Sequence, residues 1–168
     1  MGTVRRGLSL PALQEDGDDG MNELVIALGW TGLFGALALS AIGSIMGCAI
    51  AGQAAIGAMV DTESGQGRYL GVSVMPSTGV IYGIVIMFTL QRDVTAGSAP
   101  GIFGIGLLAG IALLYASVLQ GRACASAIQA MKVKPEIFGL SLAPAAIVEG
   151  FSVFVFVFAL VLAGNIPA

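Results

Sequence analysis

The sequence predicts an all-α membrane protein of four transmembrane helices, laid out as two duplicated helical hairpins. Three observations carry that expectation. The 168-residue chain is 57% hydrophobic and only 10% charged, with a mean hydropathy of +0.94, whereas a water-soluble domain has about 25% charged residues. Its apolar residues fall into runs long enough to cross a bilayer, which takes about 20 residues of helix. Short motifs also recur in the second half of the chain in the order they have in the first. So little polar surface cannot coat a globule in water.

Residues 1–20, MGTVRRGLSLPALQEDGDDG, are polar, with Arg5 and Arg6 followed by Glu15, Asp16, Asp18 and Asp19. They are expected to form a disordered tail, and no apolar run follows the arginines as a signal peptide would require. Met21 reads as a natural start, and residues 21–95 as the first hairpin. No charged residue occurs from Leu24 to Val60, so this run is expected to be one long helix that projects beyond the bilayer, with Trp30 near one interface. DTESGQGR (61–68) is a polar turn, residues 69–91 a second span, and QRDVTAGSAP a loop. Residues 96–168 form the second hairpin, with a third span over 101–131, the turn KVKPE, and a fourth over 137–163. Arg68, Lys132 and Lys134 in or beside the two short turns place those turns in the cytoplasm by positive-inside counting. Arg122, in the last third of its span, is expected to snorkel toward the interface.

The repeat pairs AIGAM (55–59) with AIQAM (127–131) and Pro76 with Pro144, so the second turn is the shorter one. Gly43, Gly47, Ala51 and Ala55 form a small-residue ladder on the first helix, and Ser117, Gly121 and Ala125 another on the third. Such ladders let helix backbones approach closely in lipid. The second and fourth spans are bulkier, which suggests an inner and an outer layer. A wedge of that shape tiles into a ring, although small residues serve ordinary four-helix packing as well.

Within the fourth span lies one acid, Glu149. An ionised side chain at that depth costs about 2.5–3.5 kcal/mol on insertion scales. Desolvation disfavours the charged form, so the lipid-facing state is expected to be neutral, through a proton or a bound cation. Thr78 and Tyr82 lie four apart, on one helix face, and bracket the same depth; Gln120 can approach from the third helix. These groups could form a hydrogen-bonded lock around the carboxyl or an oxygen-lined cation site. Pro76 and Pro144 each interrupt an outer helix and are expected to leave the carbonyls of Val72 and Leu140 available. A purely structural Glu149, acting as an interhelical donor, is the alternative. The net charge of −3 argues against a nucleic-acid partner. The chain has no histidine, and Cys48 and Cys124 have no metal-ligand spacing; they read as small buried residues.

The duplicated hairpins, the GxxxGxAIAGQAAIGAM character of the first helix, MPSTGVIYG, LQGRACASAIQAMKVKPE and AAIVEGFSVFVF together resemble the ring-forming proteolipid (K-type) of V-type and A-type rotary ATPases. The resemblance covers roughly residues 25–163. It implies a rotor ring of identical four-helix subunits turning against a static membrane subunit, with central-stalk subunits and lipid as further partners, in a membrane expected to be a prokaryotic plasma membrane. It implies that Glu149 carries the ion. In sodium-carrying members the matching ligand positions are Glu149, Gln120, Met75 (by its carbonyl), Thr78 and Gly79, and a tyrosine on the carboxylate matches Tyr82. Gly79 departs from the sodium pattern, which has glutamine there, so the proton is the favoured ion, and a glutamine at 79 is expected to strengthen sodium binding. No cofactor is implied beyond the transported ion. No GxxxxGK[ST] loop is present, so the chain reads as a non-catalytic part of an ATP-driven machine. A small stand-alone transporter and a structural membrane-assembly protein are the competing readings.

Overall fold

The structure, a computed structural model, describes the backbone of residues 10–167 and the side chains of residues 18–167. Helix α1 (Leu10–Asp61) takes in the whole uncharged run. It also takes in residues 10–20 of the expected tail; residues 1–9 lie outside the described residues. Once a long apolar helix has nucleated, each added residue gains a backbone hydrogen bond without a new nucleation cost. The second span is α2 (Gln66–Ser73), a 3₁₀ turn (Met75–Ser77) and α3 (Thr78–Leu90). The third is α4 (Ala99–Val133), and the fourth is a 3₁₀ turn (Pro135–Ile137) followed by α5 (Phe138–Ser141) and α6 (Ala143–Ala163). Among the described residues four segments are thus long and apolar enough to cross a membrane, and the chain is a multi-pass membrane protein.

The two prolines act as expected and in the same way. Two residues before Pro76, Val74 sits at φ −92°, ψ −7°, and its N–H turns back to the Val72 carbonyl. Two residues before Pro144, Leu142 sits at φ −82°, ψ −14°, and its N–H turns back to Leu140. Each proline then falls in the first turn of the next helical segment, where a missing N–H is no loss. The Val72 and Leu140 carbonyls are therefore engaged, which corrects the expectation that they stand available. The shared geometry is the duplication expressed in the backbone.

α1 and α4 pack against each other along their length as the thin pair. A Cβ on Gly43 would lie 2.5 Å from the Leu114 Cα, and one on Gly121 would run into the Gly47 backbone. Any side chain at these crossings would hold the helices apart. The α1 ladder is buried throughout, with Ala51 and Ala55 packed beside Tyr69 and Val72 of α2. On α4 the ladder holds for Ser117 and Gly121, but Ala125 is only half-buried and the seam passes to Cys124 and Ile128. A strict four-residue step drifts off a face of period 3.6. Cys124 is buried and Cys48 half-buried, both as free thiols.

The core divides along the bundle. One apolar cluster gathers Leu33, Ile86, Leu90, Ile102, Leu113 and Ala159. The other gathers Ala51, Tyr69, Val72, Cys124, Ile128 and Ala145. In sequence on α1, α4 and α6, the buried polar residues Ser40, Ser44, Ser117, Gln120 and Ser152 fall between the two. Two apolar slabs thus sandwich a thin polar layer at mid-bundle, and that layer holds the site.

Candidate functional site

Glu149 lies in the second turn of α6 and turns its carboxyl toward α3 and α4. Tyr82 Oη donates to Glu149 Oε1 (2.5 Å), while Thr78 Oγ1 and Gln120 Nε2 both reach Oε2 at 2.7 Å. Two helices, α3 and α4, therefore supply the contacts of a carboxyl group carried by a third. Thr78 and Tyr82 fall on one face of α3 because they are four residues apart. Gln120 is 2% exposed, whereas Glu149, Thr78 and Tyr82 are half-buried, so the carboxyl sits at the flank of the bundle with one side open. Phe156, two turns along α6 from Glu149, stacks on the Tyr82 ring with centroids 5.1 Å apart and fixes the phenol.

The hydrogen count of Thr78 matters. Its Oγ1 lies 2.7 Å from the carboxyl and 3.1 Å from the Met75 carbonyl, yet a hydroxyl has one hydrogen to donate. With Glu149 ionised, Thr78, Tyr82 and Gln120 all donate to it. With Glu149 protonated, its own hydrogen can go to Thr78 Oγ1, which passes its hydrogen to Met75, while Tyr82 and Gln120 keep donating. Both protonation states are thus satisfied by one set of heavy-atom positions. The α3 N-terminus, opened by Pro76 at this depth, adds the positive end of a helix dipole beside the carboxyl. Its Val80 N–H is capped across the helix interface by Ser44 Oγ at 2.9 Å.

Of the residues singled out in the sequence, Glu149, Gln120, Thr78 and Tyr82 come together directly, and Met75 joins through its carbonyl. Gly79 does not face the carboxyl; a side chain there would point at Ser117 and Ser44. Of the serines of the polar layer, sequence reasoning singles out Ser117 alone, and that as a small packing residue. Their signal, several hydroxyls at the depth of Glu149 on other spans, is present but weak, since serine is common where membrane helices pack. Arg122 is exposed, as its snorkelling reading requires. Among the described residues no group of three or more His, Cys, Asp or Glu could hold a metal ion.

Comparison with known proteins adds the following. The pattern of the family formed by the C subunit of ATP synthase matches residues 31–90 and again residues 103–162. The chain is 29% identical over 150 residues to the V-type sodium ATPase subunit K of Enterococcus hirae, which covers 87% of this chain and 93% of that one. It is 35% identical over 123 residues to the A-type ATP synthase subunit K of Methanocaldococcus jannaschii, covering 71% of this chain and 54% of that one. The match thus spans about half the length of the archaeal relative.

Proposed function

The chain belongs to the family of the ATP synthase C subunit, and from that premise we propose that it is a building block of the membrane rotor ring of a V-type or A-type rotary ATPase. Identical copies form the ring, and each carries one ion on Glu149. The observation that carries this reading is the carboxyl group held by Tyr82, Thr78 and Gln120 at the middle of the fourth span. The double family match counts against a stand-alone transporter or a purely structural membrane protein.

The mechanism follows from the two satisfied states. Neutral Glu149 can turn past lipid without the cost of a bare charge. Where the ring meets the static membrane subunit, a fixed cation favours the carboxylate, so the proton leaves toward one side; a proton arriving from the other side restores the neutral form. Tyr82, Thr78 and Gln120 hold the carboxyl in place through both states, so no rearrangement is needed. The ATP chemistry takes place elsewhere in the complex, and the central stalk couples it to the turning ring. A prokaryotic plasma membrane is the setting these relatives suggest.

Sodium is the second reading, favoured by the name of the Enterococcus relative and by the oxygens of Thr78 and Met75. It would require Gln120 to turn its Oε1 toward the ion. The proton needs no such turn and is the ion we assign.

The test of the carrier is Glu149→Gln, which keeps shape and hydrogen-bonding capacity but cannot take up or release a proton. Complexes built only from this variant should assemble full rings and transport nothing. Normal coupled transport would remove Glu149 from the role.

A further inference from the structure

We propose that Ser117 determines which cation the site accepts, because its hydroxyl fills the space that a side chain at position 79 would need. The inference rests on Glu149 being the carrier and names what restricts its cargo. Gly79 follows Thr78 directly on α3, at the level of the carboxyl, and it is buried. A Cβ built on Gly79 runs into Ser117 Oγ, with Ser44 Oγ 3.1 Å and Ser117 Cβ 3.4 Å away. Ser117 stands one turn before Gln120 on α4 and is 2% exposed.

The Ser117 hydroxyl, like that of Ser44, behaves unlike most helical serines here. Ser40, Ser73, Ser77, Ser126 and Ser152 each donate to a carbonyl of the preceding turn of their own helix, the common resting arrangement of a helical serine. Among the described residues Ser117 makes no such bond; its hydroxyl is turned across the interface, into the place a residue-79 side chain would occupy. Gly79 and Ser117 are therefore a matched pair: the glycine admits the hydroxyl, and the hydroxyl, in the position it holds, stands where the Cβ of a larger residue would be.

The consequence is chemical. A dehydrated alkali cation needs several oxygens to replace its water. On this flank of α3 Thr78, Tyr82 and the Met75 carbonyl supply them, and Ser117 stands where the next position would add another. What remains is a closed hydrogen-bonded lock that suits a proton. A glutamine at 79, expected from the sequence to strengthen sodium binding, would have to displace the Ser117 hydroxyl from this place.

The experiment measures the rate of carbodiimide modification of Glu149 in intact rings, at fixed pH, as sodium chloride replaces choline chloride. Wild type and Gly79→Gln should react at rates indifferent to sodium. The double variant Gly79→Gln with Ser117→Gly should be slowed at least tenfold by millimolar sodium. Protection of wild type, equal protection of the single variant, or an indifferent double variant would each overturn the proposal. A smaller pair covers the case in which glutamine prevents assembly. Gly79→Ala should lower the temperature at which rings dissociate, and adding Ser117→Ala should restore it, since the offending oxygen is gone. A Gly79→Ala ring as stable as wild type would overturn the steric basis. Failure of Glu149 to react in any of these rings, wild type included, would instead strike the carrier assignment, and the alanine pair would still judge Ser117.

Discussion

Each donor on the Glu149 carboxyl can be removed with little change of shape, and Tyr82 is the cleanest case. Tyr82→Phe keeps the ring stacked on Phe156 and deletes only the 2.5 Å bond to Oε1. A hydrogen bond of this kind contributes about 1–2 kcal/mol, a factor on the order of ten in an equilibrium. Without it the carboxyl is held by Thr78 and Gln120 at Oε2 alone, so Oε1 is freer to swing toward the open flank. Rings of Tyr82→Phe should assemble normally and react with carbodiimide roughly ten times faster than wild type. An unchanged rate would mean that the phenol does not restrain the carboxyl. These four residues were legible in the sequence because polar side chains are rare at mid-membrane and few explanations compete for them. The Ser117–Gly79 pair was not. It depends on where one hydroxyl points at a crossing of two helices, and residue spacing carries no such information.

Helix ends show a similar division. The breaks at Pro76 and Pro144 could be read directly, since proline forbids the regular bond wherever it stands. What the freed carbonyls do afterwards could not, because a local turn-back by Val74 and Leu142 competes with any partner from another helix. Arg92 is a sharper case. In the sequence it is a loop arginine that blurs the charge count; in the structure it folds back on the end of α6. Its Nη1 donates to the Ile166 carbonyl (2.9 Å) and its Nη2 to Ala163 (3.0 Å). The last carbonyls of a helix lack intrahelical partners, and a cation there also meets the negative end of the dipole, an arrangement contributing up to about 2 kcal/mol when partly buried. Arg92 thus ties the loop after α3 to the end of α6, linking the two outer helices. At the opposite end Lys132 pairs with Asp61 and links α4 to α1, but that pair is exposed and contributes little. Arg92→Ala should speed amide hydrogen exchange at residues 164–166 and leave the turns beside Asp61 and Lys132 unchanged. Equal exchange at the C-terminus in both proteins would show that the guanidinium contacts do not hold the end of α6.

At the scale of the whole molecule, the two hairpins share a backbone plan and differ in chemistry. The same proline break that brings Glu149 to the polar layer in α6 brings Ile81 to the matching place in α3, where it is 56% exposed. The repeat that pairs Pro76 with Pro144 sets Ala146 and Gly150 opposite Thr78 and Tyr82; the one that pairs Ala55 with Ala127 sets Cys48 opposite Gln120. The site that the repeat would build around Ile81 therefore lacks the acid and all three donors, and a lone carboxyl there would meet an alanine, a glycine and a weakly donating thiol. Ile81→Glu tests this. If an acid at mid-span were sufficient, the variant would gain a second carrier and incorporate two carbodiimide labels per chain. The geometry around Glu149 argues otherwise, since an acid without converging donors keeps the full insertion cost of about 2.5–3.5 kcal/mol in its charged form and has nothing to orient its proton in the neutral one. Ile81→Glu should give fewer assembled rings, one label per chain, and no gain in ions carried per turn. Two labels per chain with transport intact would show that depth alone makes the carrier, and that Tyr82, Thr78 and Gln120 only refine it.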